Sequence, residues 1–128
     1  MTVSAADVAA VLRRWEDSRR KQGLRTEWML GERLNIISYQ CQGHHLALQG
    51  EPLFREDILA GPWGPVVNIR TADGPVINTI AARPDDSLIR WSFGNPEALS
   101  PAQYALVERL ASKAEEEIHL GLRAAAAQ

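Results

Sequence analysis

Apolar residues recur at helical spacing in three stretches of the chain, and between the second and the third the period shortens to two. After Ser4, the residues Val8, Val11, Leu12 and Trp15 mark one helix face. Ser4 with Asp7 three residues on makes a capping-box pattern, and Gly23 offers a stop, so the first helix is read over residues 4–22. Thr26 supplies an N-cap for a second helix, whose stripe is Leu30, Leu34, Ile37, Cys41, His44 and Leu48. Gly50 and Pro52 end it.

From Pro65 the pattern turns strand-like. Residues 66–71 and 76–81 are rich in β-branched side chains and flank Asp73-Gly74, a strong turn dipeptide. The turn Arg83-Pro84-Asp85-Asp86 then leads into residues 88–93, where Ile89, Trp91 and Phe93 alternate with Arg90 and Ser92. These three runs predict an antiparallel meander. Gly94-Asn95-Pro96 breaks the last strand, and Ser100, Pro101 and Gln103 open a terminal helix, with Val107, Leu110, Ala111, Ala114 and Ile118 as its buried stripe. Gly121 and the alanines after it read as a frayed end. The predicted class is α+β: a mainly helical single domain with two long helices, a terminal helix and a small antiparallel β-meander.

Composition narrows the picture without redirecting it. With 128 residues, 45% of them hydrophobic, the chain suits one domain with a core of its own. A formal net charge of -2 gives no global pull toward nucleic acid or anionic membrane. Cys41 is the only cysteine, which excludes an intramolecular disulfide, and the first residues lack the basic and apolar regions of a signal peptide. A cytoplasmic location is the expectation. The uncharged run from Leu34 to Gly50 is interrupted by Asn35, Ser38, Gln40, Gln42, His44 and His45, too polar for a membrane span.

The same run holds the residues best suited to chemistry. Cys41, His44 and His45 stand at i, i+3 and i+4, which brings a thiol and two imidazoles to neighbouring directions, but a tetrahedral metal site needs three or four ligands. His119, Glu56 and Asp57 lie in other elements at no recognisable zinc spacing, so no metal and no cofactor is assigned. Cys41 sits on the apolar stripe, where burial suppresses a nucleophile. No acid, base and nucleophile support one another, and the carboxylate pairs Glu56-Asp57 and Asp85-Asp86 read as a helix start and a turn. The chain is therefore read as a non-enzyme.

Two features remain. In Gly61-Pro62-Trp63-Gly64-Pro65 the prolines restrict the backbone and the glycines permit close approach, which predicts a rigid path. Trp63 either plugs the core or, beside Leu53 and Phe54, anchors an interface. The loop does not match a phosphate loop, lacking the Lys-Ser/Thr end. The other feature is basic: Arg13, Arg14, Arg19, Arg20, Lys21 and Arg25 stand against only Glu16 and Asp17. That segment is a solvated helix end, a surface that steers an acidic partner, or the phosphate-contacting face of a nucleic-acid-binding regulator.

The run from Leu34 to Phe54, followed by Gly64-Pro65-Val66, resembles the Panacea domain of SocA-like and phage-associated antitoxins. The residues that carry the resemblance are Leu34, Tyr39, Gly43, His45, Leu46, Ala47, Gly50, Pro52, Leu53, Phe54, Glu56, Asp57, Ala60, Gly64, Pro65 and Val66, with a weaker echo over residues 94–114. His44 stands where a tryptophan is common. The chain departs from the pattern in its strand-like sequence after Val66 and in lacking the family's C-terminal Thr-His and Pro-Trp segment. The resemblance implies a non-enzymatic domain that neutralises a cognate toxin, encoded by an adjacent gene, by direct stoichiometric binding, and in some members delivers it to a protease. On physical grounds helix two and the Gly61–Pro65 loop are expected to fix a partner-binding surface at Tyr39, His44, His45, Leu53, Phe54, Trp63, Gly64, Pro65 and Val66, with Arg13, Arg14, Arg19, Arg20 and Lys21 as steering charges. A phage-type inhibitor of a host defence protein is the related alternative, and self-association is left open.

Overall fold

A computed structural model of the chain describes residues 3–24, 31–61, 64–68, 70–71, 74–75 and 94–126. Among these, α1 spans Ala5–Lys21, α2 Gly31–Gln49 and α3 Pro101–Ala126, with strands β1 Ile58–Gly61, β2 Gly64–Val67, β3 Arg70–Thr71 and β4 Gly74–Pro75 between α2 and α3. A short 3-10 turn at Pro96–Ala98 precedes α3. The class is α+β, with helices dominating. Both α1 and α2 pack on α3, and β2 lies along α2.

Helix starts follow the side-chain chemistry closely. Ser4 Oγ accepts from the Asp7 amide at 3.2 Å while Asp7 Oδ2 accepts from the Ser4 amide at 2.9 Å, a complete capping box. Ser100 and Gln103 repeat it at α3, where Gln103 Oε1 accepts from the Ser100 amide at 2.8 Å and Ser100 Oγ from the Gln103 amide at 3.2 Å. Gly50, at φ 74, closes α2 in the left-handed region. The start expected for α2 at Thr26, with Leu30, lies outside the described residues. Helix α3 runs through Gly121 to Ala126, further than the frayed end expected.

The core joins Val8, Val11, Leu12 and Trp15 of α1, Leu34, Ile37 and Cys41 of α2, and Val107, Leu110 and Ala111 of α3. Two positions of the predicted α2 stripe are corrected: His44 and Leu48 are exposed, and Ser38 and His45 are buried in their place. The physical reason is that a 3.6-residue period started at Leu34 returns to the core at Ser38, Cys41 and His45.

The sheet region also differs from expectation. β1 and β2 form an antiparallel hairpin with Ile58 opposite Val67 and Gly61 opposite Gly64. Glu56-Asp57 therefore begins no helix. The expected loop Gly61–Pro65 is instead the end of this hairpin, with positions 62 and 63, Trp63 among them, outside the described residues. A Cβ on Gly61 would lie 2.6 Å from Val66 Cγ2, so the close pairing there requires glycine. The hairpin expected around Asp73-Gly74 exists in small form, β3 pairing with β4 through Thr71 and Gly74. The remaining strands of the expected meander, over residues 76–93, lie outside the described residues.

Candidate functional site

Helix α2 organises the region singled out by the sequence. On its flank, Asn35 Oδ1 accepts from the Val67 amide at 2.7 Å and Asn35 Nδ2 donates to the Pro65 carbonyl at 2.9 Å, so the side-chain amide pairs with β2 as a neighbouring strand would. Two turns on, Gln42 Oε1 accepts from the amides of Leu53 at 2.7 Å and Phe54 at 3.1 Å, and Gln42 Nε2 donates to the Phe54 carbonyl at 3.0 Å. Three partly buried backbone groups that no helix or strand satisfies are thereby paired.

This anchoring draws Leu53 and Phe54 into the core, where Leu53 is 3% and Phe54 2% exposed. The expectation that they present an interface edge is corrected: the Gln42 clamp turns both side chains inward. His45 is corrected likewise. It is buried, its Nδ1 lies 2.8 Å from the Glu51 carbonyl, and its Nε2 lies 3.4 Å from Gln103 Nε2. The carbonyl can only accept, so Nδ1 carries the proton; Nε2 then accepts from the Gln103 amide, whose oxygen the Ser100 amide occupies. Both ring nitrogens are thus engaged within the fold. His45 and Gln103 nevertheless border an open groove of about 550 Å³ between the end of α2 and the start of α3, shared with Leu48, Leu106 and Arg109.

The rest of the expected partner surface divides by exposure. Tyr39, His44 and Pro65 face solvent, while Gly64 and Val66 are half-buried in β2. The expected partner surface left out Ile36 and Leu46, which are exposed on α2 together with Tyr39. Their signal was present in the chain, since no charged residue occurs anywhere from Leu34 to Gly50. A helix of that composition with a solvent-facing side leaves apolar residues on it.

The basic segment is mostly engaged within the fold. Arg13 pairs with Asp17 at 4.0 Å, Arg20 with the buried Glu16 at 3.9 Å, and Arg14 with Glu97 at 2.8 Å. The Glu97 carboxylate, and after it the Tyr104 hydroxyl, raises the Arg14 guanidinium above its ordinary value. Arg19 stacks over the Trp15 ring, 5.0 Å from its centroid. Lys21 is exposed, and Arg25 lies outside the described residues. Arg13, Arg14, Asp17 and Lys21 line a shallow groove of about 460 Å³ closed by Gly94 and Pro96.

Cys41 is fully buried, and burial pushes its thiol up to about 12. Among the described residues no three His, Cys, Asp or Glu side chains converge as a metal would require, and no helix is long and apolar enough to cross a membrane. Comparison of the chain with protein-family models, with curated proteins and with solved structures returned no match.

Proposed function

We propose that the chain is a non-enzymatic protein-binding domain of antitoxin type, which neutralises a cognate toxin by stoichiometric contact in the cytoplasm. The observation that carries this reading is the exposed, uncharged face of α2, where Ile36, Tyr39 and Leu46 stand 54%, 45% and 51% exposed. Interface cores are depleted of charge and enriched in tyrosine, whereas an ordinary solvated helix face carries Lys, Glu or Arg. The antitoxin assignment comes from the resemblance of residues 34–66 to the Panacea domain, and the exposed face supplies a surface for it.

The nucleic-acid reading has less support, because a phosphate-binding face needs uncommitted cations and the arginines of α1 are engaged with Asp17, Glu97, Glu16 and Trp15. The partner surface accordingly moves from Leu53 and Phe54 to Ile36, Tyr39 and Leu46. Co-expression with the product of the adjacent reading frame tests the role. The wild-type chain is expected to restore growth and co-purify with that product, and Tyr39→Ala combined with Leu46→Glu to abolish both. An adjacent product that is harmless alone, or rescue unaffected by the double substitution, overturns the reading.

A further inference from the structure

We propose that a second copy of this chain docks on the exposed face of α2, antiparallel, about a two-fold axis passing beside position 41. The face is self-complementary. Ile36, Tyr39, Gly43 and Leu46 follow one another at spacings of three, four and three, the seam of a coiled coil. Ile36 and Leu46 stand equally far to either side of position 41, and so do Tyr39 and Gly43. An isologous antiparallel pair therefore sets Ile36 against the partner's Leu46, and Tyr39 against the partner's Gly43, each contact occurring twice.

Gly43 is the sharper part of the observation. It lies on the exposed face in the middle of α2, with φ outside the left-handed region and open space where a Cβ would stand. Among the described residues nothing calls for glycine there, and a mid-helix glycine costs roughly 1 kcal/mol relative to alanine. A notch at that point fits a large ring from outside, and the two-fold brings the partner's Tyr39 to it, body seated and hydroxyl free to reach the rim. Tyr39 itself is among the exposed large side chains of the same face.

Charge permits the approach. No Asp, Glu, Lys or Arg occurs from Leu34 to Gly50, so two copies meet along this face without like-charge repulsion. The contact extends over about three helical turns, which places the pair at the small, weakly associating end of interface sizes. A toxin bound to the same face would displace the second copy, but the dimer does not depend on that role, and the isolated chain suffices to test it.

Sedimentation velocity on the purified chain from about 1 to 300 µM is expected to show a monomer–dimer equilibrium that is insensitive to salt. Gly43→Leu fills the notch and is expected to weaken the dimer at least tenfold, while the thermal midpoint in dilute solution holds or rises, because the added Cβ meets nothing within 4 Å. With Cys41→Ala as background, Ile36→Cys together with Leu46→Cys should be joined between copies by a short bis-maleimide, and Ile36→Cys alone should not. A chain that stays monomeric at 300 µM, a dimer unmoved by Gly43→Leu, or efficient cross-linking through Ile36→Cys alone overturns the proposal.

Discussion

Asn35 and Gln42 stand two turns apart on α2, and each uses a side-chain amide to pair with main chain of the segment that follows the helix. Asn35 holds the second strand of the hairpin and Gln42 holds the bend that enters it. Gln42→Ala would leave the Leu53 and Phe54 amides and the Phe54 carbonyl without partners beside buried side chains. Urea denaturation should show a loss of about 2–4 kcal/mol, with Asn35→Ala losing about 1–3 kcal/mol. Gln42→Glu keeps the acceptor but sets a carboxylate against the Phe54 carbonyl, and should be no better than alanine. A loss below 0.5 kcal/mol in Gln42→Ala would show that the clamp is dispensable.

Gly94 and Gly43 make opposite predictions for one substitution. At Gly94 the backbone is left-handed at φ 80, and an added Cβ would collide with the Ala6 carbonyl in the first turn of α1. Gly94→Ala must therefore push the chain away from α1 and break the 2.7 Å bond from the Asn95 amide to Asp7 Oδ1. A loss above about 2 kcal/mol is expected. Gly43→Ala, in open space on a helix, should gain about 0.5–1 kcal/mol in dilute solution. Calorimetric midpoints of the two variants should move in opposite directions.

Cys41 supplies the pH dependence. Its thiol is pushed up to about 12 in the folded chain, against 9.0 as the ordinary value, because burial penalises the thiolate. Above about pH 9 the unfolded chain releases this proton and the folded chain retains it, so the contribution of Cys41 to stability is complete below pH 9 and is lost as pH rises toward 12. The slope from this group approaches about 1.4 kcal/mol per pH unit. Subtracting the pH profile of Cys41→Ala from that of the wild type should isolate it. Iodoacetamide should label the thiol in urea and spare it in buffer.

The proton on His45 is assigned by its neighbours rather than by its own chemistry. Nitrogen-detected NMR of the neutral imidazole should find it on Nδ1, with Nε2 as the acceptor. Gln103→Leu should remove the partner of Nε2 and also weaken the cap of α3, costing about 1–2 kcal/mol. A spectrum with the proton on Nε2 would contradict the 2.8 Å contact with the Glu51 carbonyl.

What the sequence disclosed depended on how local the cause was. The capping boxes at Ser4 and Ser100 act within one turn, and both helix starts were read correctly from four residues. The β1–β2 hairpin was not legible, because Ile58–Gly61 lacks alternation and β2 is completed from outside by Asn35, thirty-two residues before Val67. Leu53 and Phe54 looked like an exposed edge for the same reason: the glutamine that turns them inward belongs to another element. Likewise the arginines of α1 looked uncommitted in a linear count, while the partner of Arg14, Glu97, lies 83 residues away. The face of Ile36, Tyr39 and Leu46 was legible in the uncharged run from Leu34 to Gly50, because a helix with one side in the core leaves the apolar residues of its other side exposed.

The first turn of α1 has a consequence for the order of folding. Its leading amide, on Ala5, is held by Glu56 Oε1 at 2.8 Å across 51 residues, and Asp7 Oδ1 holds the Asn95 amide across 88. Closing loops of those lengths is entropically costly until the helices have docked, so these bonds belong to the late side of the folding barrier. Removing the Glu56 carboxylate should accelerate unfolding and leave the refolding rate nearly unchanged, so that α1, although it precedes the other elements described, would be among the last to be fastened in place.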